Sequence, residues 1–161
     1  MKPLFGRDAY AEIADYLRSR GKEDEAGKYQ KRSIDFAEQL AEAASTLNTI
    51  TAFDKYEDHK LTPAQVEALC AVLSADKRLK TVYVVAKNVP EIVGGHQHIL
   101  VAQLSLAWTE NNSEKAHEVL QALAKAEEVA GFYLLTWDAA PTTLTKSFKN
   151  LPTAKIYEKN K

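Results

Sequence analysis

The hydrophobic spacing of this chain changes from a helical period to an alternating one near Lys80. Before that point, apolar residues recur every three or four positions, as in helices with one buried face. After it, the stretch RLKTVYVVAKNV is rich in β-branched residues, and Val82, Val84 and Ala86 fall on one face of an extended strand. The chain is therefore predicted to begin with helices and to continue as a module that contains a sheet.

Residues 1–48 are predicted to form a helical hairpin. The first helix carries four apolar residues at helical spacing: Ala9, Ile13, Tyr16 and Leu17. Asp8 is its candidate N-cap, and Gly21 is the candidate left-handed residue that ends it. The second helix carries an apolar stripe from Ala26 to Leu47, and its acidic first turn suits the positive end of a helix dipole.

The hairpin resembles a single tetratricopeptide repeat, a helix-turn-helix unit of about 34 residues. The residues that carry this resemblance are Tyr10, Ile13, Ala14, Leu17, Gly21 and Ala26. Gln30 and Ser33 stand where the repeat has a large aromatic residue and then alanine, and no second copy follows. The resemblance therefore implies a helical hairpin and no array of repeats.

The next two segments are a predicted connector, residues 49–61, and a helix with strong start signals. Thr62 is the predicted N-cap, Pro63 takes the first helical position, and Gln65 completes a capping box. The buried stripe of this helix is predicted to consist of Val66, Leu69, Cys70 and Leu73.

Residues 62–161 are predicted to form an α+β module with the element order α-β-β-α-β-β, and a short helix or turn between the last two strands. The second strand, HILVAQLSLAW, alternates, and its apolar positions are Leu100, Ala102, Leu104, Leu106 and Trp108. FYLLTWD and TAKIYEK supply the third strand and a fourth, edge strand. A four-stranded, mostly antiparallel sheet with its helices on one face is the economical arrangement.

The composition is that of a globular protein, with 45% hydrophobic and 27% charged residues and a net charge of −1. No basic stripe is present, so we expect neither nucleic-acid binding nor attraction to an acidic membrane surface. No apolar run approaches the roughly 20 residues of a membrane span, so we expect no membrane insertion. Cys70 is the single cysteine and no apolar signal segment opens the chain, which favours a cytoplasmic location.

The histidines in GGHQHIL allow two interpretations. His96 and His98 would point to the same face of a strand, as two ligands of one metal ion do. A catalytic zinc needs a third protein ligand, for which His117 and His59 are the candidates. The alternative, which we favour, is that both are polar residues where a loop enters a strand. Cys70 lies on a helix stripe and is predicted to be a buried, inert thiol, and no cofactor is expected.

The stretch LTPAQVEALCAVLSADKRLKTVYVVAKNVPE, with HILVAQLSLAW and FYLLTWD after it, resembles two families in layout. One is the C-terminal domain of the SseB (enhanced serine sensitivity) family. The other is the non-catalytic tail of M48-type membrane zinc peptidases, in which a helical region like that of residues 4–32 can precede the module. Either resemblance implies an α+β accessory module without catalytic residues.

These features together predict a non-catalytic binding or regulatory module that acts through contacts with a protein partner. One form of this prediction is an accessory region of a peptidase. The predicted surface is the less apolar sheet face or the grooved side of the hairpin. The residues proposed for the sheet surface are Ile99, Val101, Gln103, Ser105, Tyr133 and Trp137. The alternative is a small metal-dependent hydrolase that uses His96 and His98.

Overall fold

The computed structural model describes residues 4–105 and 112–159. The chain divides into two compact units, one formed by Met1–Thr49 with Val89–Gly95 and the other by Ile50–Asn88 with His96–Lys161. The first unit contains two helices and a 3₁₀ turn, and the second contains a sheet with helices, so the predicted α+β class is confirmed.

In the first unit, α1 (Leu4–Ser19) and α2 (Glu23–Ser45) form the predicted helical hairpin. Gly21 has a φ of 71°, and its N–H donates to the Arg18 carbonyl at 3.0 Å. The Lys22 N–H donates to the Leu17 carbonyl at 3.1 Å. This pair of bonds is a Schellman motif, which explains why a glycine is needed at the end of α1.

The buried face of α1 differs from the predicted one. Ile13 is 39% exposed and Tyr16 is 58% exposed, whereas Ala14 is fully buried. α1 approaches α2 closely at Gly6, where an added Cβ atom would lie 2.8 Å from the ring of Phe36. Since α1 already begins at Leu4, the prediction that Asp8 caps it is wrong.

The second unit contains five strands and three helices among its described residues. The strands are β1 (Tyr56–Asp58), β2 (Leu79–Asn88), β3 (His96–Leu104), β4 (Tyr133–Thr136) and β5 (Lys155–Glu158). The helices are α3 (Pro63–Ala75), α4 (Asn112–Leu123) and α5 (Thr142–Ser147). The segment predicted as a connector thus contributes the short strand β1.

The sheet is open and has five strands where four were predicted, and it is mostly antiparallel, as predicted. β2 pairs with β3 along one edge, while β1 and β5 share its other edge end to end. β4 runs parallel to β3, because α4 lies in the crossover between them. Thr153 hydrogen-bonds Asp58 where β5 begins and β1 ends.

The expectation that helices cover one face of the sheet is wrong, since apolar clusters lie on both faces. On one face, Val82, Val84 and Leu100 pack with α3 and α4 through Leu69 and Val119. On the other face, Val85 of β2 and Ile99 and Val101 of β3 form the second cluster. They pack with Leu144 of α5 and with Phe148, the residue that follows α5. β2 and β3 carry apolar residues at both odd and even positions, so both faces of the sheet are apolar and each has to be buried by other elements.

Helix α3 begins as predicted. The Thr62 side chain accepts a hydrogen bond from the Gln65 N–H at 3.3 Å, and the Gln65 side chain accepts from the Thr62 N–H at 2.9 Å. Leu69 is 1% exposed. Cys70 is half-buried and its thiol donates to the Ile156 carbonyl at 3.1 Å, and burial raises the pKa of this thiol.

Leu106 and Trp108, two of the apolar positions predicted for the second strand, lie outside the described residues. No helix in the described part of the chain is long and apolar enough to cross a membrane.

Candidate functional site

The two histidines of GGHQHIL lie at the start of β3, where their ring centroids are 5.1 Å apart and the rings are nearly perpendicular. His98 is half-buried, stacks on Phe132 at 4.8 Å, and donates through Nε2 to the His59 carbonyl at 2.6 Å. Burial lowers the pKa of His98, and the nearby His96 lowers it further, although the bond to the His59 carbonyl acts in the opposite direction. His98 is therefore neutral near pH 7.

Among the described residues, no third metal ligand is found beside this pair. His59 uses Nδ1 to accept the Leu61 N–H at 3.0 Å, and His117 hydrogen-bonds Gln121 on α4. The described residues include no group of three or more histidine, cysteine, aspartate or glutamate side chains that could hold a metal ion. The geometry thus gives the hydrolase alternative no support.

The sheet face predicted as a binding surface is covered. Ile99 and Val101 are 0% exposed because they pack against α5, so the prediction that they face a partner is wrong. Tyr133 and Trp137 are half-buried and pack against the same cluster, where Trp137 lies 5.3 Å from the ring of Tyr83. Gln103 is half-buried and Ser105 is exposed.

The most exposed large apolar side chain among the described residues belongs to Phe53, which is 92% exposed. It lies in the segment Thr51–Asp54, named the Phe53 loop below. The sequence prediction assigned this segment to a connector and did not single out the phenylalanine. A usable signal is present: Thr51 and Asp54 stand three positions apart, the spacing of a hydrogen-bonded polar turn, with an aromatic residue between them.

Asp54 connects the Phe53 loop to β2 through three contacts. Its carboxylate accepts the Thr51 N–H at 2.7 Å and the Thr51 hydroxyl at 3.1 Å. It also pairs with the ammonium of Lys87 on β2 at 3.1 Å, and the two side chains are only 4% (Lys87) and 13% (Asp54) exposed. Burial alone would raise the pKa of Asp54, but the hydrogen bonds from Thr51 and Lys87 outweigh it and the pKa is lowered.

A shallow cleft of about 560 Å³, lined by polar and apolar groups, adjoins the loop. Its lining includes Lys55, Tyr56, Thr143, Lys146, Ser147 and Asn150. Lys55 and Lys146 form no ion pair with any described residue. The buried Tyr56 hydroxyl has no hydrogen-bond partner within the described part of the chain, and burial together with the charge of Asp54 raises the pKa of Tyr56 to about 12.

Comparison of the chain with protein-family models, with curated proteins and with solved structures found no match. The resemblance to the SseB family and to the tail of membrane zinc peptidases therefore stays a prediction. Any function assigned to the chain has to rest on the geometry of its own residues, of which the Phe53 loop and its cleft are the best candidate.

Proposed function

We propose that this chain is a non-catalytic binding module that recognises a protein partner through the Phe53 loop. The main observation in support is that Phe53 is 92% exposed. It lies on a loop that is connected to β2 by the buried ion pair of Asp54 and Lys87. Aromatic side chains are enriched in the cores of protein interfaces, where a few buried anchors supply most of the binding energy.

The contacts of Asp54 with the loop and with β2 distinguish Phe53 from an incidental surface residue. Single apolar residues are common on protein surfaces and need no explanation by themselves. Here three contacts to one carboxylate order the backbone that presents the ring. Ordering a loop before association removes part of the entropy loss on binding, so this arrangement favours tight recognition.

The adjoining cleft supports the same proposal, because it places polar groups beside the apolar anchor. Asp54 is paired with Lys87 and Glu57 with Lys60, at 3.1 and 2.8 Å. Lys55 and Lys146 remain to contact polar groups of a partner at the rim. An apolar centre with a polar rim is the usual anatomy of an interface. A cytoplasmic location belongs to the proposal and rests on the single cysteine.

The test is site-specific photocrosslinking in cells with benzoylphenylalanine at position 53. The matched control carries the crosslinker at position 16, where Tyr16 is also exposed but lies on α1. We expect a protein that is crosslinked from position 53, is not crosslinked from position 16, and is competed away by excess wild-type chain.

The identified protein is then purified and its affinity measured by calorimetry. Phe53→Ala is expected to weaken binding by about 2 kcal/mol, as for an interface hot spot. Because Phe53 is exposed, the free energy of unfolding of the Phe53→Ala protein should differ from that of wild type by no more than about 0.5 kcal/mol. An affinity that is the same for wild type, Phe53→Ala and Tyr16→Ala would refute the proposal.

A further inference from the structure

A cavity of about 340 Å³ lies between α3 and the 3₁₀ turn Glu127–Val129, in the second unit. Its apolar wall consists of Leu61, Ala68, Leu69, Ala130 and Phe132. The volume falls within the range of about 300–1,000 Å³ that is typical of small-molecule sites, which are mostly apolar with a few placed polar groups. The cavity is lined by none of the residues of the Phe53 loop.

Three ionisable side chains line this cavity: His98, Glu127 and Glu128. Both glutamates are exposed, and neither forms an ion pair with any described residue. His98 stacks on Phe132 and donates Nε2–H to the His59 carbonyl, so its ring is fixed in place. Burial lowers the pKa of His98 and keeps the ring uncharged near pH 7. The cavity therefore carries a net negative charge from its two carboxylates.

We propose that this cavity binds a small organic cation, an amine with an apolar or aromatic body. The body would contact Leu69 and Phe132, where it leaves water, and the ammonium would remain at the rim beside Glu127 and Glu128. The same carboxylates repel an anion, and they can offer a neutral ligand a hydrogen bond but not the coulombic attraction of an ion pair. This inference is independent of the proposed function of the Phe53 loop.

The test uses three probes that share a phenyl ring and a short chain: phenethylamine, 2-phenylethanol and 3-phenylpropionate. Each is titrated into the isotope-labelled full chain, and backbone and histidine ring resonances are followed by NMR. We expect phenethylamine to shift the signals of His98, Phe132 and the α3 residues of the wall. Its dissociation constant should be millimolar, as for a fragment of this size. The alcohol should bind more weakly and the carboxylate not at all.

Two variants separate the charge from the cavity. Glu127→Gln combined with Glu128→Gln should weaken phenethylamine binding by about three- to tenfold, the range for two exposed ion pairs, and should change the affinity for the alcohol less. The control, Glu38→Gln with Glu42→Gln, removes two exposed carboxylates from α2 and should change neither affinity. Ala68→Phe fills the cavity and should abolish binding of both probes.

Three results would overturn the inference. The first is the absence of shifts at the wall residues up to the solubility limit of phenethylamine. The second is binding of the carboxylate or the alcohol as tightly as the amine. The third is an amine affinity that is the same in wild type and in the double glutamine variant. This variant leaves the apolar wall unchanged and should therefore fold normally.

Discussion

Lys87 is the most deeply buried charged side chain in the described part of the chain that forms an ion pair, with 4% exposure and Asp54 at 3.1 Å. Replacing it by methionine leaves the Asp54 carboxylate with only its bonds from Thr51. Removal of one partner of a buried pair is strongly destabilising, so we expect Lys87→Met to lower the free energy of unfolding by about 3 kcal/mol in urea denaturation.

The matched control for this change is Lys55→Met, since Lys55 is exposed and forms no ion pair with a described residue. Its effect should stay within about 0.5 kcal/mol. Equal losses in the two variants would mean that the ion pair does not brace the Phe53 loop.

His98 predicts a dependence of stability on pH. Burial lowers the folded-state pKa of His98 below the ordinary value of 6.5. Between the two values the unfolded chain binds more protons than the folded one, so stability rises with pH in this window. The stabilisation is present above about pH 6.5 and is lost as the pH falls from there towards the folded-state pKa.

We expect His98→Phe, which keeps a ring beside Phe132, to flatten the curve of unfolding free energy against pH between about 5 and 7. His96→Phe serves as the comparison: because His96 contributes to the lowered pKa of His98, this change should reduce the slope only in part. Urea titrations at a series of pH values measure both. A slope retained by His98→Phe and lost by His96→Phe would contradict the assignment.

At the scale of elements, substitutions in α3 compare the stability that comes from the N-terminal cap with the stability that comes from core packing. Thr62→Ala removes the side-chain acceptor of the Gln65 N–H and should lower the free energy of unfolding by about 1 kcal/mol. Leu69→Ala removes a side chain that is 1% exposed and should lower it by about 2–5 kcal/mol. Ser74→Ala, at an exposed position of the same helix, should change it by less than about 0.5 kcal/mol. Denaturation in urea that ranks Thr62→Ala above Leu69→Ala would show that α3 is misplaced.

The strands were predictable as elements because alternation and β-branched content are short-range signals. β2 and β3 appear where their spacing indicates, and the pairing of Val84 with Leu100 joins their central residues. The three residues of β1 carry no such signal, since Tyr56–Asp58 contains two acidic residues and no β-branched one. β1 is extended because it pairs with Lys87, Ala86 and Val85 of β2.

At the scale of the whole molecule, β2 is paired on both of its edges, and this predicts the order in which the strands lose their backbone hydrogen bonds. Its amides take part in ladders with β1, β3 and β5, whereas β4 pairs only with β3 among the described strands. We expect native-state hydrogen exchange to be slowest at Val82, Val84 and Leu100, and faster by at least about tenfold in β4 and β5. NMR of the folded chain in deuterated buffer measures this, and slower exchange in β5 than in central β2 would be incompatible with the topology.

The sequence alone determined those features whose cause lies within a few residues. The capping box of Thr62 and Gln65, the left-handed Gly21 and the helical or alternating spacing depend on neighbours along the chain. These local preferences were enough to predict the order of the main helices and strands and the α+β class.

The tertiary structure decided which of these surfaces are covered. Ile99 and Val101 were predicted to face a partner, but α5, more than 40 residues later in the chain, packs on them. Ile13 was predicted to be buried but is 39% exposed, and Phe53 is exposed on a loop whose Asp54 pairs with Lys87 of β2. Exposure depends on contacts between distant segments, and one sequence records the pattern of a face but not which distant element buries it.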